Sequence, residues 1–155
     1  MTTTTALLVI DVQQALCSGE QAAFDIARVI DNVNGLSQRA RTAGLPVVLV
    51  QHEEPEGPMQ HGSAGWALAD GLHTDAADVR VRKTTPNSFH GTELQRVLQE
   101  RGVKRLVVCG LQTEFCVDTT VRQALALGYD VVLAADGHST TDGAITATQA
   151  IAHHN

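Results

Sequence analysis

The chain has 155 residues, of which 43% are apolar and 18% charged, with Lys+Arg 11 against Asp+Glu 17 and a formal charge of −6. That length suits one domain, 1–155, large enough to bury roughly 68–70% of its unfolded surface. The acidic balance argues against nucleic acid or an anionic membrane as partner, since both demand a basic face. No apolar run approaches the ~20 residues of a membrane span. No basic region precedes the apolar run 6–10, and Asp11 cuts that run short, so no secretory leader is expected. Cys17, Cys109 and Cys116 cannot all pair and none lies in a C-x-x-C unit, which suits a reduced, cytoplasmic protein.

In chain order, residues 6–10 form a continuous apolar run of strand length. Ile26, Ile30, Val33, Leu36 and Ala40 then keep to one face of a helix ended by Gly44. Residues 46–50 read as a second strand, and a long stretch rich in Gly, Pro and His follows over 52–78. A loop that long in a small domain is more often functional than idle. Residues 79–82 alternate apolar and basic, as a half-exposed edge strand does. Leu94, Val97 and Leu98 mark a short helix stopped by Gly102, and 106–109 a further strand. Val121, Ala124 and Leu125 mark the inward face of a helix stopped by Gly128. Residues 131–135 form the last strand, and Ile145, Thr148 and Ile151 start the final helix. Runs apolar on both faces, alternating with helices, imply a parallel sheet covered on both sides.

In such sheets ligands bind beyond the C-terminal strand ends, where strand order reverses. Asp11, Lys83 and Cys116 all follow strands. Residues 109–117 read as strand, tight turn and helix start, with Thr113 as N-cap and Cys116 in the first turn. A thiol there is favoured as an anion, so its pKa is expected to fall. From position alone Cys116 is either an activated nucleophile or a small buried apolar residue. Cys109, inside an apolar strand, reads as core, and Cys17 as a loop residue without a direct role. Asp11 is either a functional carboxylate or a turn residue. Lys83 is one of only two lysines beside nine arginines, and is either a tunable buried ammonium or a surface cation near Arg80 and Arg82.

The segments Leu8-Val-Ile-Asp-Val-Gln-Gln14, Lys83-Thr-Thr-Pro-Asn-Ser-Phe89 and Gly110-Leu-Gln-Thr-Glu-Phe-Cys-Val117 together resemble the isochorismatase-like cysteine hydrolase superfamily. Arg122-Gln-Ala and the segment from Gly128 to Asp136 extend the likeness, which covers nearly the whole chain in order. The resemblance implies a three-layer, Rossmann-like α/β/α fold with a mostly parallel sheet of order 3-2-1-4-5. It implies a triad of Asp11, Lys83 and Cys116, with Lys83 reaching inwards from the edge strand. It also implies a cis peptide at Leu111–Gln112 that aims the Gln112 N–H, with that of Cys116, at one point as an oxyanion hole.

Members of that superfamily hydrolyse small non-peptide amides or, in isochorismatases, a vinyl ether, and fold alone does not choose among them. The expected activity is hydrolysis of a small amide through a thioester on Cys116. The alternatives are vinyl-ether hydrolysis and a catalytically silent binding protein. A nucleotide binder is disfavoured, since no Gly-rich phosphate motif follows a strand. Leu16, Trp66 and Phe89 are expected either to wall the pocket or simply to pack their loops. The Asp-x-His metal pair of nicotinamidases is absent, because Val50 stands two before His52. His52, Glu53, Glu54 and His61 therefore read as loop residues, and no metal or cofactor is expected. The chain is shorter than most members and is expected to lack a final strand or tail. A homo-oligomer, with a dimer the commonest form, is expected both from the resemblance and from the small or apolar circumference of 144–152.

Overall fold

The computed structural model describes residues 4–155. Five parallel strands, β1 (Thr4–Ile10), β2 (Val47–His52), β3 (Val79–Lys83), β4 (Val103–Leu111) and β5 (Asp130–Ser139), stand in the order β3-β2-β1-β4-β5. This is the class and order expected from the sequence. Among them run α1 (Gln14–Cys17), α2 (Ile26–Thr42), α3 (Leu94–Glu100), α4 (Asp118–Ala126) and α5 (Ala147–His154). A π-helical turn over Thr113–Val117 leads directly into α4.

Residues of β1 alternate between two cores. Ala6, Leu8 and Ile10 join Val48, Val50, Val81, Leu94, Leu98 and Ala124 on the face of α3 and α4. Leu7 and Val9 join Val29, Ile30, Val33 and Leu49 on the face of α2. Burial on both faces explains the unbroken apolar runs of the central strands.

β1 and β4 meet at the point where strand order reverses, with Ile10 opposite Gly110. A Cβ at Gly110 would lie 2.0 Å from the Ile10 carbonyl oxygen, and φ there is +119°. Only glycine permits this approach of the two central strands.

Three faces differ from the sequence reading. The run 131–135 lies on an edge strand, β5, and Val132 is 46% exposed. Apolar content marks a strand but not which neighbours cover it. In α4 Thr120 and Ala124 are buried and Val121 packs against the same core, as read, while Leu125 turns outwards. The last helix starts at Ala147, not Ile145, because Thr146 and Gln149 form a reciprocal capping box. Ala147 and Ala150 then face inwards while Ile145 and Thr148 are exposed. Among the described residues, no helix is long and apolar enough to cross a membrane.

Candidate active site

Asp11 follows β1 in the left-handed conformation, φ +53°, which Asp tolerates better than most residues. Its N–H donates to the Val50 carbonyl and its own carbonyl accepts from the Gln13 N–H, fixing a tight turn at the strand end. The carboxylate is thereby held in the interior, 1% exposed. Lys83 closes β3, two strands away, and its long stem crosses the end of β2 to reach it. Lys83 Nζ donates to Asp11 Oδ2 at 2.9 Å and to Cys116 Sγ at 3.3 Å, and the lysine side chain is fully buried. The three residues of the expected triad are thus in one place.

The segment after Lys83 is tied to α4. The Ser88 N–H donates to Thr120 Oγ1, and Asn87 Nδ2 donates to Gln123 Oε1. These bonds hold the lysine loop against the helix that continues from the cysteine turn. Peptide Leu111–Gln112 is cis. The Gln112 carbonyl accepts from both Phe115 and Val117, closing the turn around Cys116.

Thr113 is not the N-cap expected for it. It is the first residue of the π-helical turn, and its hydroxyl bonds His138 Nδ1 at 2.8 Å, inside the fold. His138 Nε2 in turn meets Asn155 Oδ1 at 2.7 Å, and burial lowers the His138 pKa. Glu114 accepts from the Thr140 hydroxyl, so β5 and the chain's last residue both brace the cysteine turn.

Electrostatics reverse the expected thiol shift. Burial, with the Asp11 charge beside it, pushes the Cys116 thiol up to about 12, and Lys83 offsets this only in part. Burial also raises the Asp11 carboxyl, against the pull of Lys83. A helix terminus acts on a thiol only within its own turn, whereas desolvation and a neighbouring carboxylate act at full strength in a buried site. Burial thus favours the neutral thiol in the resting site. Asp11 Oδ1 is buried with no hydrogen-bond partner among the described residues, so a proton acceptor is in place.

The softer candidates scatter. Leu16 sits half-buried in α1. Phe89 stacks on Tyr129 with centroids 5.9 Å apart and packs against the core of α3 and α4. Trp66 lies edge-on to His61, 4.5 Å between centroids, and its buried indole N–H has no partner among the described residues. Cys109 is fully buried, as read, and Cys17 lies in α1 rather than in a loop. Of the four residues read as loop, His52 instead closes β2 and pairs with Glu54, Glu53 is held by Arg82, and His61 lies against Trp66.

Two residues of the site escape sequence reasoning. Gln13 is fully buried; its amide nitrogen donates to the His52 and Trp66 carbonyls, and its oxygen accepts from the His52 N–H. His52 itself lies opposite Lys83 in the β2–β3 register, with Nδ1 3.1 Å from Lys83 Nζ. A buried amide two residues after Asp11 is a signal the sequence offers; the His52–Lys83 pairing exists only once the two strands are in register.

The sequence matches the isochorismatase domain family over residues 5–154. It is 44% identical to a streptothricin hydrolase of Streptomyces noursei across 88% of this chain and 50% of that protein, so it spans about half the length of that relative. Among solved structures it is similar to an isochorismatase family protein, at 41% identity and TM-score 0.92, covering 97% of this chain and 90% of the other. It is also similar to N-carbamoylsarcosine amidase from Thermoplasma acidophilum, at 26% identity and TM-score 0.81, covering 88% and 84%. Fold, strand order and sequence agree: the chain belongs to the isochorismatase family of hydrolases.

Proposed function

We propose that this chain hydrolyses a carbon–nitrogen bond in a small non-peptide amide, with Cys116 as nucleophile. The observation that carries the reading is the buried ammonium of Lys83 bonded at once to the Asp11 carboxylate and the Cys116 sulfur. A fully buried lysine is rare unless paired, and this one is paired to the two groups a thiol hydrolase needs. Similarity to a streptothricin hydrolase supports hydrolysis, and similarity to N-carbamoylsarcosine amidase supports the bond type.

In this mechanism Asp11 takes the thiol proton as sulfur attacks the substrate carbonyl carbon. Its raised pKa makes it a stronger base than an exposed carboxylate, and proton loss is coupled to attack because the resting thiol is neutral. Lys83 stabilises the sulfur while it carries charge. The carbonyl oxygen becomes an oxyanion that rests on the backbone N–H groups of Gln112 and Cys116. Asp11 returns its proton to the departing amine, the C–N bond breaks, and a thioester remains on Cys116. Water, deprotonated by Asp11, then attacks the thioester carbon; the C–S bond breaks, the acid is released, and Asp11 returns the proton to the Cys116 sulfur. Leu16 in α1, Trp66 in the long loop after β2 and Phe89 in the segment after Lys83 are the side chains proposed to flank the acyl group.

The test is to offer wild-type protein a panel of small amides that includes streptothricin and to seek an acyl mass increment on Cys116. Cys116→Ala should be inert and folded. Cys116→Ser should be nearly so, because Asp11 is too weak a base for an alcohol. Wild-type turnover by Cys116→Ala would end the thioester mechanism.

A further inference from the structure

His52 has both ring nitrogens engaged. Nδ1 lies 3.1 Å from Lys83 Nζ, and Nε2 lies 2.6 Å from Glu54 Oε1. An ammonium only donates, so Nδ1 must be the bare nitrogen and Nε2 must carry the hydrogen that Glu54 accepts. The ring is half-buried, and a hydrogen on Nδ1 would point at the ammonium. The Lys83 ammonium has three hydrogens and no exposed surface, and the described partners number three: Asp11, Cys116 and His52. A buried donor without an acceptor is costly, so the third acceptor decides where the other two hydrogens of Lys83 point.

We propose that His52, with its tautomer set by Glu54, is a positioning residue for Lys83 that supplies the third acceptor and so aims the ammonium at Asp11 and Cys116. The inference rests on the catalytic reading of Lys83 given above. It extends the site along β2 to a carboxylate that is half exposed, making a continuous line Asp11–Lys83–His52–Glu54 from the interior to solvent. The other charged group nearby, Glu53, is turned to Arg82 and does not compete for the ring.

Two measurements test this without a known substrate. The first is the ring nitrogen NMR spectrum of 15N-histidine-labelled wild-type protein. His52 should show a bare Nδ1 and a protonated Nε2; the opposite tautomer overturns the proposal. The second is the pH profile of Cys116 alkylation by iodoacetamide, read by peptide mass spectrometry so that Cys17 and Cys109 are scored separately. His52→Leu removes the acceptor, and alkylation of Cys116 should slow by roughly 10–100-fold, with its profile displaced to higher pH. His52→Asn, whose side-chain oxygen can stand where Nδ1 stands, should recover most of the rate. Glu54→Gln, which still accepts from Nε2, should stay near wild type, whereas Glu54→Leu should fall towards His52→Leu. Equal rates and profiles for His52→Leu and His52→Asn, both with wild-type circular dichroism, would refute the proposal. If no acyl group is ever trapped on Cys116 the hydrolase reading falls, while the tautomer result still stands or falls by itself.

Discussion

Replacing Lys83 by Met keeps the length of the side chain and deletes its charge. The side chain is fully buried and the partner carboxylate 2% exposed, so the variant leaves Asp11 as a lone buried anion. Breaking a buried pair from one side costs about 3–5 kcal/mol, which for a domain of this size lowers Tm by about 6–20 °C. Adding Asp11→Asn removes the stranded charge and keeps a residue type that tolerates the left-handed backbone there. An unsatisfied amide costs about 1–3 kcal/mol, so the double variant should regain about 2 kcal/mol, or 4–8 °C, over the single one. The deficit also depends on pH. Burial already raises the Asp11 carboxyl, and without Lys83 it rises further. The folded state then binds a proton that the unfolded chain, titrating near about 3.9, has released. Stability therefore falls as pH rises through the folded pKa, and the deficit of Lys83→Met shrinks in acid. Urea unfolding followed by circular dichroism between acid and neutral pH measures all three effects. A Lys83→Met protein with wild-type stability at neutral pH, or an Asp11→Asn addition that makes it worse, would refute the charge-pair reasoning.

Gly110→Ala should fail to accumulate as folded protein, because its new methyl carbon would lie 2.0 Å from the Ile10 oxygen; soluble yield and near-ultraviolet circular dichroism check it, and a normal fold would contradict the strand contact. Prolonged chelation should leave turnover unchanged, since His52 and Glu54 are bound to each other and Glu53 to Arg82; a metal-dependent loss restored by one divalent ion would overturn this. Light scattering at micromolar concentration should give twice 16.5 kDa or more, because Val132 on edge strand β5 and Leu125 on α4 leave apolar surface uncovered; a monomer mass would refute it.

The sheet was legible because its central strands are written as unbroken apolar runs, and Val79–Lys83 because its alternation is that of an edge. The helix faces were less so. Leu125 and Ile145 look like core residues by composition, but helix phase is set by where the first turn starts. Thr146-x-x-Gln149 announces that start in the sequence, two residues after Ala144, and places Ile145 outside it. Asp11, Lys83 and Cys116 could be grouped from the sequence because each lies at or just past a strand end and sits in a motif. What remained hidden was what surrounds them. The register of β2 on β3 sets His52 against Lys83, and the depth of burial raises the thiol pKa that a helix terminus alone would lower.

Gln13 binds the end of β2 and the loop carrying Trp66 to the turn after Asp11 with three hydrogen bonds from one buried amide. Those segments come from three distant parts of the chain, and all are ordered by folding itself. A site assembled in advance leaves little for a ligand to organise, so the entropy of arranging the loops is charged to the folded state and not to each encounter. Substrate capture should then behave as docking to a rigid cleft, with a small heat-capacity change and an association rate set by diffusion and orientation. The cost falls on adaptability. Insertions between His52 and Trp66 must preserve the two carbonyls that Gln13 holds, so changes of substrate would come through side chains on this loop far more readily than through its length.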